Sequence, residues 1–242
     1  MALVNMTLQG KGGVGKSLVS TLLAQHYRAR GIEPICFDTD PVNQTFGGFE
    51  ALQVQRLALG ATAGEIDPRA FDRLVEAILE APAEAVFVID NGAATFLPLM
   101  SYMAENDVVP FLKEHGHEVR CHSVLTGGQA LDDTVNGFAA LLDAFADVPV
   151  VVWLNEHFGK VEKAGKAFEE TKLFGANKER VHALIRMAAV RPQTFGADLE
   201  AMLKSRLVFE QAVSSDAFSI MARQRLKTMW RAFSAEMDKA QL

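Results

Sequence analysis

Residues 3–30, "LVNMTLQGKGGVGKSLVSTLLAQHYRAR", run from an apolar segment through a glycine-rich octet into a helical pattern, and few folds accept that succession. Gly10 to Ser17, "GKGGVGKS", satisfies the eight-residue phosphate-loop pattern and stands where it has physical meaning, between a strand and a helix. Glycines there let backbone N–H groups turn toward phosphate oxygens, and the helix beginning near Lys16 offers its positive dipole end. Lys16 suits the β- and γ-phosphate charge, and the Ser17 hydroxyl suits Mg²⁺. The expected nucleotide-binding set is Gly10, Lys11, Gly12, Gly13, Val14, Gly15, Lys16, Ser17 and Leu18. One lysine is enough for the phosphates, so Lys11 needs another explanation.

Further apolar runs follow, each with a helical pattern behind it: "PICFD", "AVFVID", "CHSVLT", "VPVVVWLN" and "VHALIR". Helical spacing covers 17–30, 68–79, 129–145 and about 216–238. Short strands alternating with helices predict an α/β fold, a doubly wound, mostly parallel sheet with helices on both faces. The 242 residues, without internal repeat or proline-rich linker, read as one domain, 1–242. The N-terminus lacks a basic flank and an apolar signal core, and no run reaches 18 apolar residues, so the expected location is cytoplasmic. Cys36 and Cys121 lie in different apolar segments and read as buried thiols.

A phosphate loop needs partners at neighbouring strand ends. "CFDTDP" supplies Asp38 and Asp40, two residues apart and on one side of an extended chain. One carboxylate can then reach a metal's water shell while the other faces an attacking water. "AVFVID" ends in Asp90, the acid expected to hold Mg²⁺ through water. "VVVWLN" ends in Asn155, whose amide offers a donor and an acceptor to an adenine edge.

The order "KGGVGKS", "DTDP", an apolar strand ending in Asp90 and a strand ending in Asn155 resembles the deviant Walker A ATPases of the ParA/MinD family. The resemblance implies an Mg²⁺-dependent ATPase, converting ATP to ADP, that forms an ATP-dependent homodimer. It implies that Lys11, the family's signature lysine, crosses to the partner's ATP. By position, Lys16 becomes the loop lysine, Ser17 the Mg²⁺ ligand, Asp40 the residue orienting the lytic water, Asp38 a metal-shell or switch residue, and Asp90 the Walker B acid. The chain departs from the family after Asp90, where "NGAATF" replaces Thr/Cys-Pro-Pro. A narrower likeness, on "DPVNQTFGGFEAL", "VLTGGQALDDTVNGF", "WLNEHFG" and "RPQTFGADLEAMLKSRLVFEQAV", is to ATPases encoded in conjugative plasmid transfer regions. It implies a role in conjugation with a protein partner from that machinery. Partition-type DNA positioning and small-molecule kinase or ligase chemistry are the competing readings, and Lys11 counts against the second.

Charge is divided unevenly. Residues 1–171 hold 12 Lys and Arg against 23 Asp and Glu, whereas 172–242 hold 12 against 7. With a net charge of −6, a protein devoted to coating DNA is disfavoured, and any contact with DNA or the inner membrane falls to the basic C-terminal part. There the last helix carries Leu226, Met229, Trp230, Phe233 and Met237 at helical spacing, with Arg223, Arg225, Lys227 and Arg231 favouring the other faces. Packing on its own domain is the expectation for that stripe, ahead of a protein partner or membrane. "HGHEVRCH" gathers His115, His117, Cys121 and His122 but lacks zinc-motif spacing, so a loop entering a strand is expected.

Overall fold

The computed structural model describes residues 1–60 and 66–242. Strand β1 (Leu3–Thr7) leads through the glycine-rich loop into helix α1 (Lys16–Ala29), followed by β2 (Ile35–Asp38) and β3 (Gln55–Arg56). Then come α2 (Asp72–Leu79), β4 (Val86–Asp90), α3 (Phe96–Glu105), α4 (Val108–Glu114), β5 (Glu118–Thr126), α5 (Leu131–Ala144) and β6 (Val150–Asn155). A small hairpin, β7 (Glu162–Lys163) and β8 (Lys166–Ala167), precedes α6 (Lys172–Asn177) and β9 (Val181–Met187). Helices α7 (Ala197–Lys204), α8 (Phe209–Ser214) and α9 (Ile220–Lys239) complete the chain.

Seven strands form one parallel sheet in the order β3-β2-β4-β1-β5-β6-β9. Both faces of its strands are apolar in alternation, as buried parallel strands require. Phe87 and Ile89 face a cluster with Leu74, Leu99, Leu112 and Leu141, from α2 to α5. Val86 and Val88 face the opposite cluster, with Leu22, Met202, Phe209 and Leu226, from α1 and α7 to α9. This is the three-layer, doubly wound architecture expected from the alternating pattern.

On the second face a chain of buried polar groups crosses the sheet. Trp153 Nε1–H donates to His122 Nδ1 (3.0 Å), which leaves the other ring nitrogen to donate to Asn5 Oδ1 (3.0 Å). Asn5 Nδ2 lies 3.3 Å from the Tyr27 hydroxyl. Full burial pushes His122 down to about 3, so it stays neutral. His122 is thus spent on the core. Among the described residues no group of three or more His, Cys, Asp or Glu is placed to hold a metal ion.

The terminal helix begins later than its apolar spacing suggests, because the Ser219 hydroxyl accepts from Ala222 N–H (3.2 Å) and caps it. Leu226, Met229 and Met237 are buried against the second core. Its C-terminal end is tied down where the His182 ring meets Ala240 O (3.2 Å) and the His26 ring meets Leu242 O (3.3 Å). The stripe is therefore packed on the domain, and no described helix is long and apolar enough to cross a membrane. Leu226→Ala should lower the unfolding free energy by about 2–5 kcal/mol in urea denaturation, the cost of a buried leucine truncation; a loss below about 0.5 kcal/mol, the surface range, contradicts the docked helix.

Candidate nucleotide site

The parallel register sets the site. Thr7 of β1 lies beside Asp90 of β4, and Asp90 beside Asp38 of β2, so three strand ends come level below the glycine-rich loop. Ligand sites in open α/β sheets form at such carboxyl edges. Gly15 has φ +103°, and a Cβ there would lie 3.0 Å from the Asn155 amide nitrogen, so a side chain is disfavoured by backbone strain and by crowding.

Asp90 is the buried centre, at 1% exposure. Ser20 Oγ lies 3.0 Å from its Oδ1 and 2.9 Å from Thr7 Oγ1. Burial pushes its carboxyl up to about 7, opposed chiefly by the nearby Ser17 hydroxyl and reinforced by the Asp38 charge. Lys16 is also buried, and desolvation lowers its ammonium pKa against the pull of Asp90 and Asp40. Its Nζ donates to Lys11 O (2.9 Å) within the loop. A buried acid with a hydroxyl against it and too little compensating charge is a donor set that fits a hard divalent cation.

The two lysines part company. Lys16 points inward, whereas Lys11 reaches out to Asp133 in the first turn of α5, with Nζ and Oδ2 2.7 Å apart. Both partners are about half exposed, so the ion pair contributes about 1 kcal/mol or less.

Asp38 and Asp40 organise the segment after β2. Asp38 accepts from Asp40 N–H (2.9 Å) and Gly47 N–H (2.7 Å), and burial raises its pKa against those two bonds. Asp40 Oδ1 accepts from Val42 N–H (2.8 Å) and Asn43 N–H (3.0 Å). Across the cleft a Cβ on Gly92 would come within 2.6 Å of Asp40 Cγ, so any side chain at the second residue after Asp90 would displace Asp40. The departure at 91–96 has a local account here. Asn91 accepts from the Thr39 hydroxyl (2.8 Å) and donates to Thr7 O (3.2 Å), stapling β1, β2 and β4 together just above their ends.

Asn155 Nδ2 donates to Val14 O (2.9 Å) and its Oδ1 accepts from His157 N–H (3.1 Å). Its amide holds up the loop from behind, with both ends engaged by the chain itself.

A cavity of about 390 Å³ fronts the loop, lined by Lys16, Ser17, Thr21, Asp40, Asn43 and Phe49 among others. A second, of about 620 Å³, continues past Gly13, Gly15 and Leu18 between Met187, Pro192, Leu199, Met229 and Phe233. Together they make a polar end and an apolar end joined at the loop, in the size range of small-ligand sites. A larger cavity of about 940 Å³, between α1, α8 and the start of α9, shares no residue with the loop and has no such cradle. Sequence reasoning singled out the loop and the strand-end acids but missed Ser20, Asn91, Gly92, Asp133 and Arg206. Of these, only "DN" at the end of β4 and "DD" opening α5 carry a local signal.

The profile described as the CobQ/CobB/MinD/ParA nucleotide binding domain matches residues 6–235. The chain belongs to that family. Two proteins named Protein TraL from Escherichia coli are 48% and 47% identical to it over 241 residues, each comparison covering 99% of both chains. Among solved structures, the MinD cell division protein of Aquifex aeolicus superposes with TM-score 0.53 at 15% identity, covering 94% of this chain and 95% of that one. The septum site-determining protein MinD of Pyrococcus horikoshii, complexed with Mg-ADP, gives TM-score 0.52 at 17% identity, covering 99% and 97%. These likenesses agree in fold with the sheet and loop described above.

The titration of Asp90 makes a checkable statement about the free protein. Its folded pKa is about 7 against 3.8 unfolded, so its contribution to stability is fully present below 3.8 and lost as pH rises through 7. Asp90→Asn should therefore raise the stability of the magnesium-free, nucleotide-free chain at pH 8 by up to about 4 kcal/mol. The gain should vanish by about pH 4 in thermal unfolding, and a destabilised variant at pH 8 contradicts the buried charge.

Proposed function

We propose that the chain is an ATP-dependent dimerisation switch of the ParA/MinD type, hydrolysing ATP to ADP in the service of plasmid conjugal transfer. The observation that carries the reading is the divergence of Lys11 and Lys16, one loop sending one cation into its own cradle and the other to the surface. A lysine that its own phosphate site does not use suits delivery to a second subunit's nucleotide. Full-length identity to the TraL proteins supports the transfer role.

In this reading the loop backbone and Lys16 bind the β- and γ-phosphates, and the adenine lies at the apolar end of the paired cavities. Ser17, Asp90 and Asp38 form the side that would hold Mg²⁺, which when bound supplies positive charge against the phosphate oxygens. Asp40 orients the water whose oxygen bonds the γ-phosphorus as the bond to the ADP oxygen breaks. Its carboxylate is held by Val42 and Asn43, so activity requires that this turn yield. Lys11 leaves Asp133 and stabilises charge across the dimer, coupling assembly to hydrolysis. The products no longer hold the pair together, and the dimer parts.

Sizing chromatography tests the scheme. Asp40→Ala with Mg-ATP should run as a dimer, and Lys11→Ala should remain monomeric while binding ATP as the unaltered chain does. A monomeric Asp40→Ala protein at saturating ATP overturns the sandwich dimer. Lys16→Ala should lose ATP binding by at least about 100-fold, as expected for a desolvated charge contact.

A further inference from the structure

Arg206 stands at a position where chain geometry asks for glycine. It closes α7, with its own N–H donating to Leu203 O (3.1 Å) and Leu207 N–H donating to Met202 O (3.2 Å). Its φ of +55° is left-handed, the conformation glycine ordinarily supplies at this point of a helix end. A long side chain kept at a strained backbone position points to a use for that side chain.

The side chain spans two parts of the site. Nη1 donates to Thr45 O (3.0 Å), and the guanidinium lies 5.8 Å from the centroid of the Phe49 ring. Among the described residues its partners are a carbonyl and a ring face, neither of which carries a compensating charge, and most of its five donors find no acceptor there. Both contacts fall in the turn that follows Asp40, whose Gly47 N–H is held by Asp38. Arg206 also lines both cavities, one of five residues common to them with Gly13, Gly15, Leu18 and Leu203. It therefore stands at the neck between the end holding Lys16 and Ser17 and the apolar end. A nucleotide laid along the two places its ribose and α-phosphate at that neck.

We propose that Arg206 is a nucleotide-binding residue that contacts the α-phosphate side of bound ADP or ATP while gripping the Thr45–Phe49 turn, so that occupancy of the site is transmitted to the segment carrying Asp40. The inference rests on the nucleotide-binding reading above. The planar, multi-donor guanidinium is suited to the task, since it can keep a carbonyl and take a phosphate oxygen together.

Titration calorimetry of the full chain with Mg-ADP and Mg-ATP, paired with thermal unfolding without nucleotide, tests it. Arg206→Gly relieves the left-handed backbone, so its unfolding midpoint should equal or exceed that of the unaltered chain. Its affinity should fall by about 10- to 100-fold, the loss of one charge-assisted hydrogen bond, and by the same factor for ADP and ATP because the α-phosphate is common to both. Arg206→Lys keeps a point charge but not the fork, so its affinity for both should fall between those of the unaltered chain and Arg206→Gly. Amide hydrogen exchange at residues 45–52 should slow on adding ADP to the unaltered chain and not with Arg206→Gly. Unchanged ADP affinity in Arg206→Gly overturns the proposal, as does a loss confined to ATP. An unaltered chain that binds neither nucleotide overturns the nucleotide reading itself, and this inference with it.

Discussion

A carboxylate buried at the tip of a central strand has to be answered, because an isolated charge in the interior costs far more than a domain can spare. Asp90 is answered by hydroxyls from α1, by Lys16 from the glycine-rich loop, and by the level strand ends that bring Thr7 and Asp38 beside it. The answer is incomplete, so burial still pushes its carboxyl pKa up. The loop, the first helix and three strands are thus held in mutual position around a site that a cation and phosphate would complete.

Two segments pack around that centre. The turn after β2 hangs on Asp38 and Asp40, and the segment after β4 on Asn91 and Gly92. They touch where Gly92 meets Asp40. Asn91 ties the segment to Thr39 and Thr7 by side-chain hydrogen bonds.

Much of this arrangement was legible in the order of residues. The loop pattern between a strand and a helix, the acids closing "CFDTDP" and "AVFVID", and the alternation of apolar strands with helices are local signals, and the sheet assembled as they imply. Less legible was anything depending on which residues face each other across elements. Asn155 closes a strand, and that its amide also props the loop at Val14 and caps the turn at His157 was not legible there. His122 belonged to a suggestive His/Cys grouping and proved to be a link in a buried chain with Trp153 and Asn5. The terminal helix offered the same apolar stripe to a core or to a membrane, and only the packing of Leu226 and Met237 distinguishes the two.

By itself the sequence determined the family, the fold class and the chemical kinds gathered at the strand ends, because backbone conformation, strand alternation and helix starts are written in contiguous residues. Tertiary structure alone decided that Lys11 meets Asp133, that Gly92 closes on Asp40, and that Arg206 stands between two cavities. Each of those pairs lies far apart along the chain, on elements whose spatial neighbours follow from the crossing order of the sheet. Contacts of that kind arise from packing whole layers together, and no local pattern encodes them.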